Sequence, residues 1–274
     1  MIFHPDLTFN VVNDPIRTEE TIFHQIKNLK FGVEYVGIPI AFSLNTLGIE
    51  RTQKIIDEVN AKNPAKKFFV CQHIFVNKLN FGDNIVFTPH TEDNDNFLFI
   101  PHYNPIFNSS PGRVLYRDRN LDFSFIGDFE TNDVRKKISV LNSSTTPIHA
   151  TGKWFFMHER KKQEELLKDY IQTLAHSKLS LCPRGTGPST LRLFESMSVG
   201  SIPVIFNSLK LPEYIKKIVK ILDVDEFIKN PSIYVDCHMD WEEKSKNIYQ
   251  LYWDSLSNEN LYKSIIKGLK ENGY

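Results

Sequence analysis

The chain has 274 residues, of which 41% are hydrophobic and 24% charged, a soluble globular composition with length for one large domain or two of common size. Thirty-three basic residues balance thirty-three acidic ones, which excludes a global field drawing the protein to nucleic acid or to an anionic membrane. Any anion site must therefore be local, and two domains is the working count.

Residues 1–6 carry no basic stretch followed by an apolar run, and no segment approaches the roughly 20 apolar residues that span a bilayer. The expectation is a cytoplasmic protein, in the host cytoplasm if viral. Residues 31–47 mix β-branched and aromatic residues with Gly and Pro and predict a strand with its turn. A helix is expected over 51–60. Residues 67–74 form a short, nearly continuous apolar run of the kind buried on both faces of a parallel sheet. Two further strands, 84–88 and 96–101, each run into a loop that contains a histidine, His90 and His102. Residues 105–119, rich in Asn, Ser, Pro and Gly, read as a linker.

The pattern restarts at Leu121 with a buried strand to Ile126, then Gly127 and Asp128, then a helix over 131–140 that carries Arg135. A weak strand at 148–152, an amphipathic helix at 163–176, a strand at 178–182, a helix at 189–198 and a strand at 202–206 follow. The tail, 241–269, reads as helical. Strands alternating with helices in both halves predict an α/β fold of two mainly parallel sheets. The boundaries expected are 1–119 for the first domain, 120–258 for the second, and 259–274 for a helix packing back across the junction. Cys71, Cys182 and Cys237 are too few and too scattered for a disulfide framework or zinc cluster and read as free thiols.

The richest segment is Cys182-Pro183-Arg184-Gly185-Thr186-Gly187-Pro188-Ser189-Thr190, a glycine-containing loop between a strand and a helix. Free N–H groups and the dipole at a helix N-terminus favour phosphate, and Gly185 and Gly187 permit close backbone approach. Ser189 and Thr190 can cap the helix or bond phosphate oxygens. Arg184 and Arg192 supply cations for a diphosphate without a metal ion. Glu195, three residues past Arg192, lies on the same helical face as a ribose acceptor. The plain alternative is an exposed Arg192–Glu195 ion pair beside a tight turn. The ordered string from Cys182 through Arg192 and Glu195 to Gly200-Ser201-Ile202-Pro203-Val204 is more specific than its members, and it is neither a Walker loop nor a GxGxxG fingerprint.

That string resembles the C-terminal signature of exostosin-like glycosyltransferases. Phe123-Ser124-Phe125-Ile126-Gly127, with Arg135 following, is similar to the strand and glycine loop that open the family's donor domain, and Phe99-Ile100-Pro101-His102 to the segment before it. The resemblance covers roughly residues 33–206. It implies a GT-B architecture, two Rossmann-like domains facing across a cleft, with a UDP-sugar donor, a glycan acceptor and inversion at the anomeric carbon. It further implies that Arg184 and Arg192 contact phosphate, that Glu195 binds ribose and that Gly127 lies near the phosphates. No further cofactor is called for.

Inversion requires a base to take the acceptor proton, and Asp14, His73, His90, Glu92, Asp93 and His102 are the candidates; His73 leads because it follows the clearest buried strand. Asp93-Asn94-Asp95 looks like an Asp-x-Asp metal motif but lies in a polar turn with no further oxygen ligands nearby. The histidines show no metal-ligand spacing. Trp154, Phe155 and Phe156 beside His158 read as core packing before a sugar platform, and Lys153, Arg160, Lys161 and Lys162 as a solvated face. The alternative to an enzyme is a non-catalytic nucleotide- or glycan-binding protein of the same fold. The missing GxGxxG and P-loop patterns weigh against a dehydrogenase or sulfotransferase.

Overall fold

The computed structural model describes residues 9, 16–91, 94–108, 110–206, 211–235 and 240–274. The chain divides into two compact units: Met1–Pro105 with Gly187–Ser189 and Ser255–Tyr274, and Ile106–Thr186 with Thr190–Asp254.

The first unit holds helix α1 (Thr18–Ile26), strand β1 (Glu34–Tyr35), helix α2 (Ile40–Lys62) and strands β2 (Lys67–Val70), β3 (Ile85–Thr88) and β4 (Phe97–Phe99). The four strands pair in parallel in the order β1-β2-β3-β4, with Phe68 opposite Ile85 and Val86 opposite Phe97. Successive strand residues point to opposite faces. Phe68 and Val70 accordingly pack with Ile22 and Ile26 of α1 and Ile265 and Leu269 of the C-terminal helix. Phe69 packs with Ile40, Leu44 and Ile56 of α2. A strand buried on both faces is mostly apolar, which is what Phe68, Phe69 and Val70 show after the buried Lys67.

The strand expected over 31–47 is confined to Glu34–Tyr35. From Ile40 onward the chain is helical, because Ile40, Ala41, Ser43 and Leu44 bury one face at helical spacing. A short apolar run carries too few residues to separate period 2 from period 3.6. Gly48 breaks α2 with φ of 80°, a conformation that favours glycine. β2 ends at Val70, not at residue 74, because the Gln72 N–H is given to the Glu19 carboxylate.

The second unit holds β5 (Leu121–Gly127), α3 (Asp133–Ile138), β6 (Ile148–Ala150), α4 (Arg160–His176), β7 (Ser177–Leu181), α5 (Leu191–Ser198), β8 (Ile202–Ile205), α6 (Glu213–Lys216), β9 (Lys220–Ile221), α7 (Val224–Lys229) and α8 (Trp241–Leu251). Its five strands are parallel in the order β6-β5-β7-β8-β9. The short elements α6, β9 and α7 carry no reading in the sequence. The tail is not one helix: α8 leads into a π-helical turn, Tyr252–Leu256, and then α9 (Leu261–Glu271), which supplies core residues to the first unit.

Residues 106–119 belong with the second unit, where Arg119 is 2% exposed. Its guanidinium donates to the carbonyls of Ser177 (2.9 Å), Val114 (3.0 Å) and Val199 (2.6 Å). Burial pushes its pKa down to about 10.

Candidate functional site

β5 and β7 are parallel neighbours, so Gly127 and Leu181 end at the same edge of the second sheet, where ligands of open α/β sheets collect. The loop after β7 runs to Thr190, whose extended backbone begins α5 and whose side chain accepts from none of the helix's first N–H groups.

Three arginines surround this edge. The Arg192 guanidinium lies between two rings, 4.3 Å from the Phe125 centroid and 5.1 Å from that of Tyr170, and donates to the Ile126 carbonyl. Gly127 makes room for it: a Cβ there would fall 3.3 Å from Arg192 Nη2 and 2.9 Å from Phe125 Cζ. Arg135 faces the same Phe125 ring at 5.3 Å and binds main-chain carbonyls, Arg184 O at 3.0 Å and Asp128 O at 2.9 Å. Its role is thus to fasten the two loops. Burial, then the Arg192 charge, lower its pKa to about 10. Arg184 donates to Thr186 O at 3.2 Å, and its buried Nε has no partner among the described residues. None of the three forms an ion pair with a carboxylate of the described residues.

Glu195 is 6% exposed and accepts from Tyr170 Oη at 2.5 Å. Burial raises its pKa, while the Tyr170 bond and the Arg192 charge oppose the rise. It forms no exposed ion pair with Arg192. Tyr170, which the sequence reading left among the apolar residues of a helix, joins the two by its ring and its hydroxyl. Cys182 is buried beneath them with its thiol pushed up to about 12, which keeps it protonated and unreactive.

The glycines divide their work. A Cβ on Gly185 would lie 3.1 Å from Arg135 Nη2, within the second unit. One on Gly187 would lie 2.6 Å from Ile74 Cγ2 and 3.2 Å from His90 Cε1, within the first. There too the Ser189 hydroxyl meets His102 Nε2 at 2.7 Å, so it is already engaged.

Of the base candidates, Asp14, Glu92 and Asp93 lie outside the described residues. His90 is buried, with Nε2 donating to Gln72 O at 3.0 Å. His102 is buried beside it, and burial followed by the His90 charge holds its pKa well below the usual range. His73 is half-buried; Nδ1 accepts from Phe75 N at 3.1 Å, which leaves Nε2 to donate to Asn45 Oδ1 at 3.0 Å. The sequence reading missed Glu19, which accepts from the backbone N–H groups of Ala41 (3.1 Å) and Gln72 (2.8 Å).

Trp154 is 41% exposed, its ring set against that of Phe156 at 5.0 Å. Arg160 and Lys162 form exposed helix pairs with Glu164 and Glu165. Among the described residues no group of three or more His, Cys, Asp or Glu side chains is placed to hold a metal ion. Likewise, no described helix is long and apolar enough to cross a membrane.

The chain is similar to ribitol-5-phosphate xylosyltransferase 1 of Mus musculus, at 30% identity over 97 residues, covering 34% of this chain and 21% of that protein. With the Homo sapiens protein of the same name it shares 29% over 97 residues, again 34% and 21%. The matched stretch thus spans about a fifth of these relatives' length. Among solved structures, S. aureus TarM G117R in complex with fondaparinux, alpha-GlcNAc-glycerol and UDP aligns with a TM-score of 0.43 and 13% identity, over 91% of this chain and 58% of that one. The lipopolysaccharide outer core galactosyltransferase WaaB aligns with a TM-score of 0.41 and 11% identity, over 91% and 94%. Residues 104–262, more than half of the chain and all the arginines and carboxylates of this sheet edge, match the model described as RXYLT1 C-terminal domain, and the chain belongs to that family.

Proposed function

We propose that the protein is an inverting, metal-independent glycosyltransferase of GT-B type that moves a sugar from a UDP-sugar to a glycan hydroxyl. The observation that carries this reading is the group of three arginines at one sheet edge, none in an ion pair with a described carboxylate, beside a helix N-terminus that the Thr190 side chain does not cap. Uncompensated cations at such a place suit a diphosphate, whose negative charge grows as the bond to the sugar breaks. Arg192, held between two rings, needs no reorganisation to meet that charge; Arg184, with a looser hold, completes the contact. Glu195 takes a ribose hydroxyl. A pentose donor, UDP-xylose, is the first to test, since the relatives are named xylosyltransferases. The exostosin-like motif favours the same donor class.

His73 is the base we propose among the described residues, being the most open of the three histidines. Taking a proton at Nδ1 costs it the Phe75 N–H bond. The engagement of both its nitrogens favours a second reading, nucleotide binding without turnover.

Incubation with a panel of UDP- and GDP-sugars, monitored by release of the nucleoside diphosphate, separates the two readings. Slow hydrolysis of one donor is expected, and no turnover with any donor counts against the enzyme. In calorimetry Glu195→Ala weakens UDP binding and Arg184→Ala weakens it more, by roughly tenfold or above. Wild-type affinity in both variants would remove the assigned donor site.

A further inference from the structure

Tyr170 is a buried titratable group that the motif does not include and the transfer reaction does not use. It stands on α4, outside the string from Cys182 to Val204, yet it meets two residues of that string, Arg192 and Glu195. Its hydroxyl donates to Glu195 Oε2, and its ring lies 5.1 Å from the Arg192 guanidinium, which the Phe125 ring approaches at 4.3 Å. Arg192 and Glu195 stand three residues apart on α5, close enough to pair with each other. A direct ion pair would consume the cation meant for phosphate and the carboxylate meant for ribose. Such a pair is absent here: the carboxylate accepts from Tyr170, and the guanidinium lies against the Phe125 and Tyr170 rings and feels the Glu195 charge only at longer range.

We propose that Tyr170 is a positioning residue that keeps Glu195 and Arg192 apart and preformed, so that one serves the ribose and the other the diphosphate of the same nucleotide. This rests on the donor-site reading above. A carboxylate that already accepts from a phenol retains lone pairs for a ribose hydroxyl, whereas an unheld one swings to the nearest cation. A cation between two rings keeps its free N–H edge directed to the ligand.

The tests use the whole chain, with UDP and inorganic pyrophosphate as probes. Tyr170→Phe keeps the ring and removes the hydroxyl; the released carboxylate turns to Arg192, so we expect roughly tenfold weaker UDP binding and weaker pyrophosphate binding with it. Tyr170→Leu removes the ring as well and weakens both. In a Glu195→Ala background Tyr170→Phe has no further effect on UDP, since the hydroxyl acts through that carboxylate.

A pH profile adds a readout that a packing role alone does not move. The titratable groups facing Glu195 are Tyr170, Arg192 and Cys182, with Arg135 beyond Tyr170. Glu195 must be ionised to accept from both partners, so its contribution is lost as pH falls through its pKa. The Tyr170 bond holds that pKa down, and in Tyr170→Phe the acid limb of UDP binding therefore moves to higher pH. Wild-type UDP affinity and an unmoved acid limb in Tyr170→Phe, beside a weakened Glu195→Ala, would overturn the inference alone. Failure of the wild-type chain to bind UDP would overturn the donor site and this inference with it.

Discussion

Both units build a parallel sheet whose strands end in loops rich in polar residues, yet the two sheet edges treat charge in opposite ways. Beyond β2 and β3 in the first unit, polar groups satisfy one another: Glu19 takes the N–H groups of Ala41 and Gln72, His90 donates to Gln72 O, and His73 is held by Asn45 and Phe75. Beyond β5 and β7 in the second, Arg135, Arg184 and Arg192 spend donors on carbonyls, lie against rings and form no ion pair with a described carboxylate. A closed network stabilises a fold, while an open set of charges awaits a ligand. Under the proposed donor-site reading, the same architecture marks its site by the charges it leaves without an ion pair.

The largest expected effect tests the closed side. Glu19→Ala strands two buried N–H groups and should cost about 2–5 kcal/mol of stability, read by denaturant unfolding. UDP affinity of the folded protein should not change. A large loss of UDP affinity in that variant would break the contrast, because the first unit would then hold ligand through its own buried groups.

Arg192→Met tests the open side. It keeps apolar bulk between Phe125 and Tyr170 and removes the charge, so UDP binding should weaken by about 2 kcal/mol, roughly thirtyfold, with much smaller loss of stability. The salt dependence of binding should flatten as well, since one screened charge is gone. Gly127→Ala sharpens the same point through geometry. Its Cβ would lie 2.9 Å from Phe125 Cζ, so the ring that backs Arg192 must shift. A cost of about 1–2 kcal/mol in stability is expected, with several-fold weaker UDP binding by calorimetry.

The legible parts of this molecule are those whose signal is local. The apolar run through Phe68, Phe69 and Val70 announced a strand buried on both faces, and a few consecutive residues announced the strand, glycine loop and helix that bring Arg184 and Arg192 to one sheet edge. What stayed hidden depends on distant pairs. Tyr170 reaches Glu195 across 25 positions, Glu19 reaches Gln72 across 53, and Arg119 reaches Val199 across 80. No periodicity encodes such a meeting; each looks alone like a helix residue or, for Arg119, like linker. Arg135 shows the converse, since its place after the glycine loop was legible while its service to backbone carbonyls was not.

The smallest expected effect is none at all, and it bears on how the open charges are used. In a metal-assisted transfer a divalent ion shields the departing diphosphate, held by oxygen ligands at the phosphate site. At this sheet edge Arg135, Arg184 and Arg192 bring three positive charges that would repel such an ion, Asp128 is the carboxylate beside Arg135, and Glu195 is buried against Tyr170. Transfer or donor hydrolysis should therefore proceed at an unchanged rate in excess EDTA. Complete loss reversed by manganese would mean that the arginines are not the charge that the diphosphate meets.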